Sequence, residues 1–333
     1  MKFLTKSKER IMTCLVIVIV AVFMIISPDF RSVNTLFNMI RAIEITAIMA
    51  IPCLLVFICG GIDLSFMSIA SFSMYASVMF FNTLGGELPI ILMFLFGIAV
   101  GVGLGLVNAF FVNVTKMPIF IVTLATQFIF MGACLAFIGT SYLQVPENMV
   151  SLSQTNLIST VDANGNQISI NISILIVVAL YIIIALVLKY TKFGRAMYAI
   201  GGDADAARRA GINVTKTMTL MFALFGAICA IGGVLNGTLL RLAVPGDMVG
   251  GELTVIAACI LGGADSVMGK GSVYGTFIGV VLITVISNSL NLLGIPSFWQ
   301  EAVIGAVVIG GTIFSVVFNN RNNSVRALKR RAS

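Results

Sequence analysis

The sequence predicts an all-α integral membrane protein with about ten transmembrane helices, some of them short or broken. Three observations carry this. Hydrophobic residues make up 59% of the 333 residues and charged residues 10%, whereas a soluble domain carries about 25% charged residues. Mean hydropathy is +1.08, more apolar surface than any soluble core needs. The apolar residues fall into runs near the roughly 20 residues required to cross a bilayer, and the Lys and Arg residues lie between those runs. The sequence pI of about 9.2 is therefore explained by membrane topology rather than by nucleic-acid binding.

The first run, 11–27, follows Lys2, Lys6, Lys8 and Arg10. A cleaved signal peptide is the competing reading. The run ends in Ser27-Pro28-Asp29 without a small-x-small site, so a retained span is predicted. Further spans are predicted at 41–59, 66–82, 89–112, 119–139, 171–188, 217–240, 253–263, 272–293 and 301–318. The eighth, 253–263, is too short to cross alone; it reads as a tilted segment or half of a broken helix.

With the N-terminus inside, the inner segments 1–10, 60–65, 113–118, 189–216, 264–271 and 319–333 hold seventeen Lys and Arg, against Arg31, Arg41 and Arg241 outside. That bias obeys the positive-inside rule. It makes 189–216 a cytoplasmic loop, and 141–170, which has no Lys or Arg, an external one. Both termini are then cytoplasmic. The basic tails 1–10 and 319–333 read as topology anchors near anionic lipid, and 1–333 as one polytopic membrane domain.

Cys14, Cys53, Cys59, Cys134, Cys229 and Cys259 lie in apolar runs with no CxxC pair, and histidine is absent. Neither a disulfide framework nor a metal site is predicted, and no nucleophile–base set for an intramembrane enzyme is visible. Two echoes suggest an internal duplication. Gly60-Gly61-Ile62-Asp63 recurs as Gly262-Gly263-Ala264-Asp265, and the ladder Gly97, Gly101, Gly105 recurs as Gly271, Gly275, Gly279. Small residues every fourth position let helices approach closely, so both ladders read as packing.

Gly60–Ser65 (GGIDLS) interrupts an apolar region. Asp63 is either a carboxylate near membrane depth that faces a cavity or partner, or the N-cap of an ordinary turn. Ser65 is a second capping candidate. Arg41 and Glu44 are spaced to pair at i, i+3. Gly262–Gly271 (GGADSVMGKG) fails as a phosphate loop: five residues separate Gly263 from Gly269, and Gly271 follows Lys270. No ATPase motif is present, and Gly101–Gly105 lies in a span rather than in a strand-turn-helix. In 189–216, Asp203–Ala210 reads as a short helix with acids first and cations last, bounded by Gly201-Gly202 and Gly211.

These residues together resemble the permease subunit of bacterial ABC importers of the ribose/monosaccharide type. The segment TKFGRAMYAIGG resembles the family's loop at Thr191, Phe193, Gly194, Arg195, Tyr198, Ala199, Ile200, Gly201 and Gly202, and continues through Ala206, Ala207, Ala210, Gly211 and Ile212; Asp203 stands where the family has Asn. Gly60–Ser65 resembles its GGIDLSVGS signature, with Phe66-Met67 in place of Val-Gly. Glu252, Leu253, Ile256, Ala257, Ala258, Leu261, Gly262 and Gly263 resemble a third signature, Pro118–Leu124 a fourth, and Asn288–Gly294 with Trp299-Gln300 the C-terminal region. The resemblance covers about residues 34–312.

It implies a ten-helix permease in a bacterial cytoplasmic membrane, paired with a second copy or a related permease. A cytoplasmic ABC ATPase would bind the ATP-Mg, this chain binding no cofactor itself, and an extracytoplasmic sugar-binding protein would deliver the solute. It implies an ATPase-coupling role for Phe193, Gly194, Arg195, Gly201, Gly202, Asp203, Ala206, Ala207 and Gly211. Candidates for the translocation path are Gly60, Gly61, Asp63, Ser65, Phe66, Met67 and Asn288. Two other classes remain open: an ion-coupled secondary transporter, which Asp63 and the echoes would suit, and a non-transporting scaffold.

Overall fold

The computed structural model describes residues 2–85, 88–161, 165, 167–296, 299–307 and 309–310, with side chains from residue 12 onward. The basic tail 319–333 and the end of the predicted span 301–318 lie outside the described residues. Helix α1 (Lys2–Ile26) leads through a 3-10 turn (Pro28–Arg31) into α2 (Val33–Ile58). Then come α3 (Phe66–Thr83), α4 (Ile90–Thr115) and α5 (Ile119–Ala133), the last running on as a π-helical turn, Cys134–Ile138. After α6 (Glu147–Gln154) the chain forms α7 (Ile174–Tyr190), α8 (Lys192–Gly202), α9 (Ala204–Arg209), α10 (Val214–Leu240), α11 (Glu252–Leu261) and α12 (Val273–Leu292).

Among the described residues, five helices are long and apolar enough to cross a bilayer: α2, α4, α5 with its π turn, α10 and α12. Joined as one span, α7 and α8 make a sixth, bent by 74°. The chain is thus a mostly helical, multi-span membrane protein. The sequence map of about ten spans differs from this set for local reasons. α3 has 18 residues, but Ser68, Ser71, Ser73 and Ser77 lower its hydropathy. α11 has 10 residues, about 15 Å at 1.5 Å each and half a hydrocarbon core.

α2 is the axis of the bundle. From Ala47 to Ile58 its apolar side chains are at most 1% exposed, walled by α7, α10, α11 and α12. α10 packs against α2, α3 and α4. Lipid tails are as apolar as leucine, so these contacts are held by close packing rather than by transfer from water. Glycine makes that packing possible. A Cβ on Gly101 would overlap the Gly226 carbonyl, one on Gly105 the Phe222 carbonyl, and one on Gly97 would meet Val234 and Ser77. At the second ladder, a Cβ on Gly275 would overlap the Gly262 carbonyl, one on Gly279 the Ala258 carbonyl, and one on Gly271 would meet the Leu54 side chain. Each ladder therefore marks a near-contact of backbones, α4 on α10 and α11 on α12.

The bundle has two unlike ends. One carries residues 189–216. The other is capped by segment 141–170, which folds into structure that an all-α expectation omits. Strand β1 (Leu143–Gln144) pairs antiparallel with β4 (Leu242–Ala243), and β2 (Asn156–Val161) with β3 (Gln167–Asn171). The cap is tied to the helices by arginines. Arg241 Nε donates to Ser153 Oγ at 2.8 Å, and Arg41 Nε donates to the Ser169 carbonyl at 2.9 Å. The expected Arg41–Glu44 pair does not form. Arg41 turns out to the cap, while Glu44 is 2% exposed and its Oε1 has no hydrogen-bond partner among the described residues. Five of the cysteines are buried, as small apolar side chains would be, but Cys14 is exposed on α1.

Candidate functional site

Residues 189–216 form an arm rather than a loop. Thr191 begins α8: its Oγ1 accepts from Gly194 N at 3.0 Å. Gly194 is buried where a Cβ would meet the Leu188 and Val187 backbone, which permits the sharp α7–α8 bend. Phe193 is half-buried against the core; Arg195 is exposed and reaches the Tyr190 carbonyl at 3.4 Å. The sequence reading used Gly201-Gly202 only to bound the short helix that follows and assigned no helix before them, whereas both residues end α8. The aromatic and apolar positions of 192–200 give α8 a buried stripe at Met197 and Ile200, and that stripe was the missed helix signal.

Asp203 then caps α9, its Oδ1 accepting from Ala206 N and Asp205 N, each at 2.9 Å. The Ala206 amide, more than any other group, holds this exposed carboxyl below the usual aspartate range. α9 buries Ala207 and exposes Asp205, Ala206, Arg208 and Arg209; Gly211, at φ 86°, ends it. The Arg208–Asp205 pair, 2.8 Å apart, is largely exposed and adds little to stability.

The end of α8 is wedged between two turns. A Cβ on Gly201 would overlap the Ile58 carbonyl at the end of α2 and stand 2.8 Å from Gly269 Cα. A Cβ on Gly60 would stand 3.3 Å from Gly201 Cα. Tyr198 OH donates to the Gly271 carbonyl at 2.9 Å. Three glycines thus join the arm, the α2–α3 turn and the α11–α12 turn backbone to backbone. Gly202 has open space around it.

In the α2–α3 turn, Gly60 adopts φ 85°, which only glycine takes without strain. A Cβ on Gly61 would overlap Ile119. Asp63, 1% exposed, accepts through Oδ1 from Ser65 N at 2.6 Å and from Ser65 Oγ at 2.8 Å. Ser65 Oγ in turn accepts from Asn108 Nδ2 of α4 at 2.7 Å. Ser65 is the residue before α3, yet its side chain does not cap the helix. Among the described residues, Asp63 Oδ2 and Asn108 Oδ1 have no hydrogen-bond partner. The chain Asn108–Ser65–Asp63 therefore pins this turn to α4.

The other path candidates are not gathered there. Phe66 is fully buried in the core. Met67 is 6% exposed and reaches Gly251, where a Cβ would stand 3.4 Å from its Cε. Asn288 donates to the Thr284 carbonyl of its own helix at 3.0 Å. Sequence reasoning did not bring together the pair beside Gly251: Gln127 Nε2 donates to Glu252 Oε1 at 3.1 Å, and Gly250 N donates to Oε2 at 2.8 Å. A carboxylate opening a half-length helix was the available signal.

A multi-span helical bundle with an exposed, glycine-seated arm at one end and no ATPase motif has the architecture of a transporter's membrane subunit. The chain belongs to the family described as branched-chain amino acid transport system / permease component, which it matches over residues 35–311. It is 30% identical to the ribose import permease protein of Escherichia coli K12, over 92% of this chain and 91% of that one. It is 32% identical to the ribose import permease protein of Bacillus subtilis strain 168, over 88% of each chain. It is 31% identical to the xylose transport system permease protein of Haemophilus influenzae, over 90% and 93%. No solved structure matches the chain. The permease is a transport subunit and not itself an enzyme.

Proposed function

We propose that this chain is the transmembrane subunit of an ATP-driven importer that moves a monosaccharide, a ribose-like pentose or a hexose, inward by alternating access. An ABC ATPase docks at the end bearing α8 and α9, which is the cytoplasmic side with both termini. A sugar-binding protein docks at the capped end, and a second permease copy or a related permease completes the pore. About ten spans in two related halves complete this reading. The preference for a sugar rests on the relatives named for ribose and xylose, which align over nearly the whole chain.

The observation that carries the reading is the seat of the arm. α9 is exposed for a partner, while α8 is wedged at Gly201 against Ile58 and Gly269. A push on α9 therefore reaches the end of α2 and the α11–α12 turn. Among the path candidates, Asp63 and Ser65 act as a lock on that turn, and Met67 flanks the path at Gly251.

The test is reconstitution. The chain, an ABC ATPase and a sugar-binding protein, assembled in liposomes, take up ribose or xylose only with ATP. Arg195→Glu leaves membrane insertion intact but separates ATP hydrolysis from uptake. Uptake by the chain alone, driven by an ion gradient, overturns the reading in favour of a secondary transporter.

A further inference from the structure

Gln127 and Glu252 lie at the same membrane depth by two independent counts. Gln127 is eight residues into α5, about 12 Å from its start, and α11 begins about 15 Å from the α11–α12 turn. Both distances fall near the middle of a hydrocarbon core about 30 Å thick. A carboxylate there is costly, and an intramembrane acid marks a substrate or ion pathway by default. No cation neutralises Glu252 among the described residues: its hydrogen bonds come from one side-chain amide and one backbone N–H.

Glu252 itself is 5% exposed and Gln127 is half-buried, while the next residues along their helices, Leu253 and Phe128, are 72% and 70% exposed. Gly250, at φ 105°, and Gly251 present bare backbone next to it, with Met67 against Gly251. An acid acceptor, an amide that both donates and accepts, bare backbone and an apolar rim suit a neutral polyhydroxylated solute. Its hydroxyls donate to the carboxylate and accept from the amide, and a C–H face lies on Met67.

We propose that Gln127 and Glu252 form a sugar-hydroxyl contact at mid-membrane on the translocation path, with Met67 as its apolar wall. This rests on the sugar-importer reading above. The test uses the assembled complex in liposomes with ribose and 2-deoxyribose, each at saturating binding protein. Glu252→Gln and Gln127→Leu are expected to lower ribose uptake about ten-fold, the loss of one hydrogen bond to a charged group. The ribose-to-deoxyribose ratio should fall toward one, while ATP hydrolysis stimulated by the binding protein stays at the wild-type rate. Should Glu252→Gln fail to assemble, Gln127→Leu, on the half-exposed side of the pair, carries the test. A wild-type complex that moves neither sugar overturns the sugar reading and the contact with it. A wild-type complex that moves ribose, with both variants keeping its rate and ratio, overturns the contact alone.

Discussion

The two Gly-Gly-x-Asp turns share letters but not geometry. Along the sequence Gly60 aligns with Gly262 and Asp63 with Asp265. In space the pairing is shifted by one residue. Gly60 follows the α2 cap at φ 85° with its N–H on the Phe57 carbonyl, and Gly61 N reaches back to Val56. The residues that do the same after α11 are Gly263, at φ 90°, and Ala264, bonding Ile260 and Cys259. The glycine that a left-handed C-cap demands is the first of one pair and the second of the other. The remaining glycine differs too: Gly61 makes room for Ile119, while Gly262 lets α12 approach at Gly275. The acids diverge accordingly. Asp63 is buried and linked to Asn108; Asp265 is half-buried and accepts from Val267 N and Met268 N at 3.0 Å each. A matching tetrapeptide thus reports two helix ends, not two equivalent sites.

The largest break comes at Gly201, which touches both turns. Gly201→Val has no space against the Ile58 carbonyl and Gly269. It should abolish coupled uptake, and Gly202→Ala, in open space, should leave it unchanged; ATP-dependent sugar uptake by the reconstituted complex separates them. Next is the contrast between the acids. Asp63→Ala strands the buried Ser65 N–H and hydroxyl, at about 1–3 kcal/mol for each group left unsatisfied. Asp265→Ala removes a half-buried cap-like acceptor and should cost about 1 kcal/mol. Thermal unfolding in detergent should rank them in that order, and equal shifts would make the turns energetically equivalent after all.

The backbone comparison is smaller. Gly60→Ala and Gly263→Ala both force a side chain into the left-handed region, at about 1–2 kcal/mol. At Gly60 the added Cβ also stands 3.3 Å from Gly201 Cα, so Gly60→Ala should fall at the upper end of that range. The smallest effect lies outside both turns, at the α9 cap. Asp203 has its carboxyl below the ordinary range, so the cap is fully present above that range and is lost as pH falls through the lowered value. Hydrogen exchange at the Ala206 amide should speed up only at strongly acid pH, and Asp203→Ala should show the fast rate at every pH.

Much of this was legible in the sequence. Hydropathy and charge bias identified a multi-span membrane protein, and the short helix after Gly202 with its Gly211 stop was visible because its acids-first, cations-last order and flanking glycines act over a few residues. The α8 helix was hidden by Gly201-Gly202, which read as the start of the next helix, whereas they end α8 and Gly201 is the place where two other turns press in. The sequence ladders identified the small-residue faces but not their partners. Arg41 chose Ser169 over Glu44, three residues away, because a cap formed 128 positions later offers it a carbonyl.

By itself, then, the sequence determined the class of protein, the polar and apolar stretches, the cation-rich segments and the short helix between Gly202 and Gly211. These depend on periodicity, composition and near neighbours along the chain. Only the tertiary structure decided which acids are buried, where α8 is seated, and that Gln127 meets Glu252 across 125 positions. Those outcomes depend on how helices cross, and a crossing brings together residues whose spacing along the chain carries no sign of the meeting.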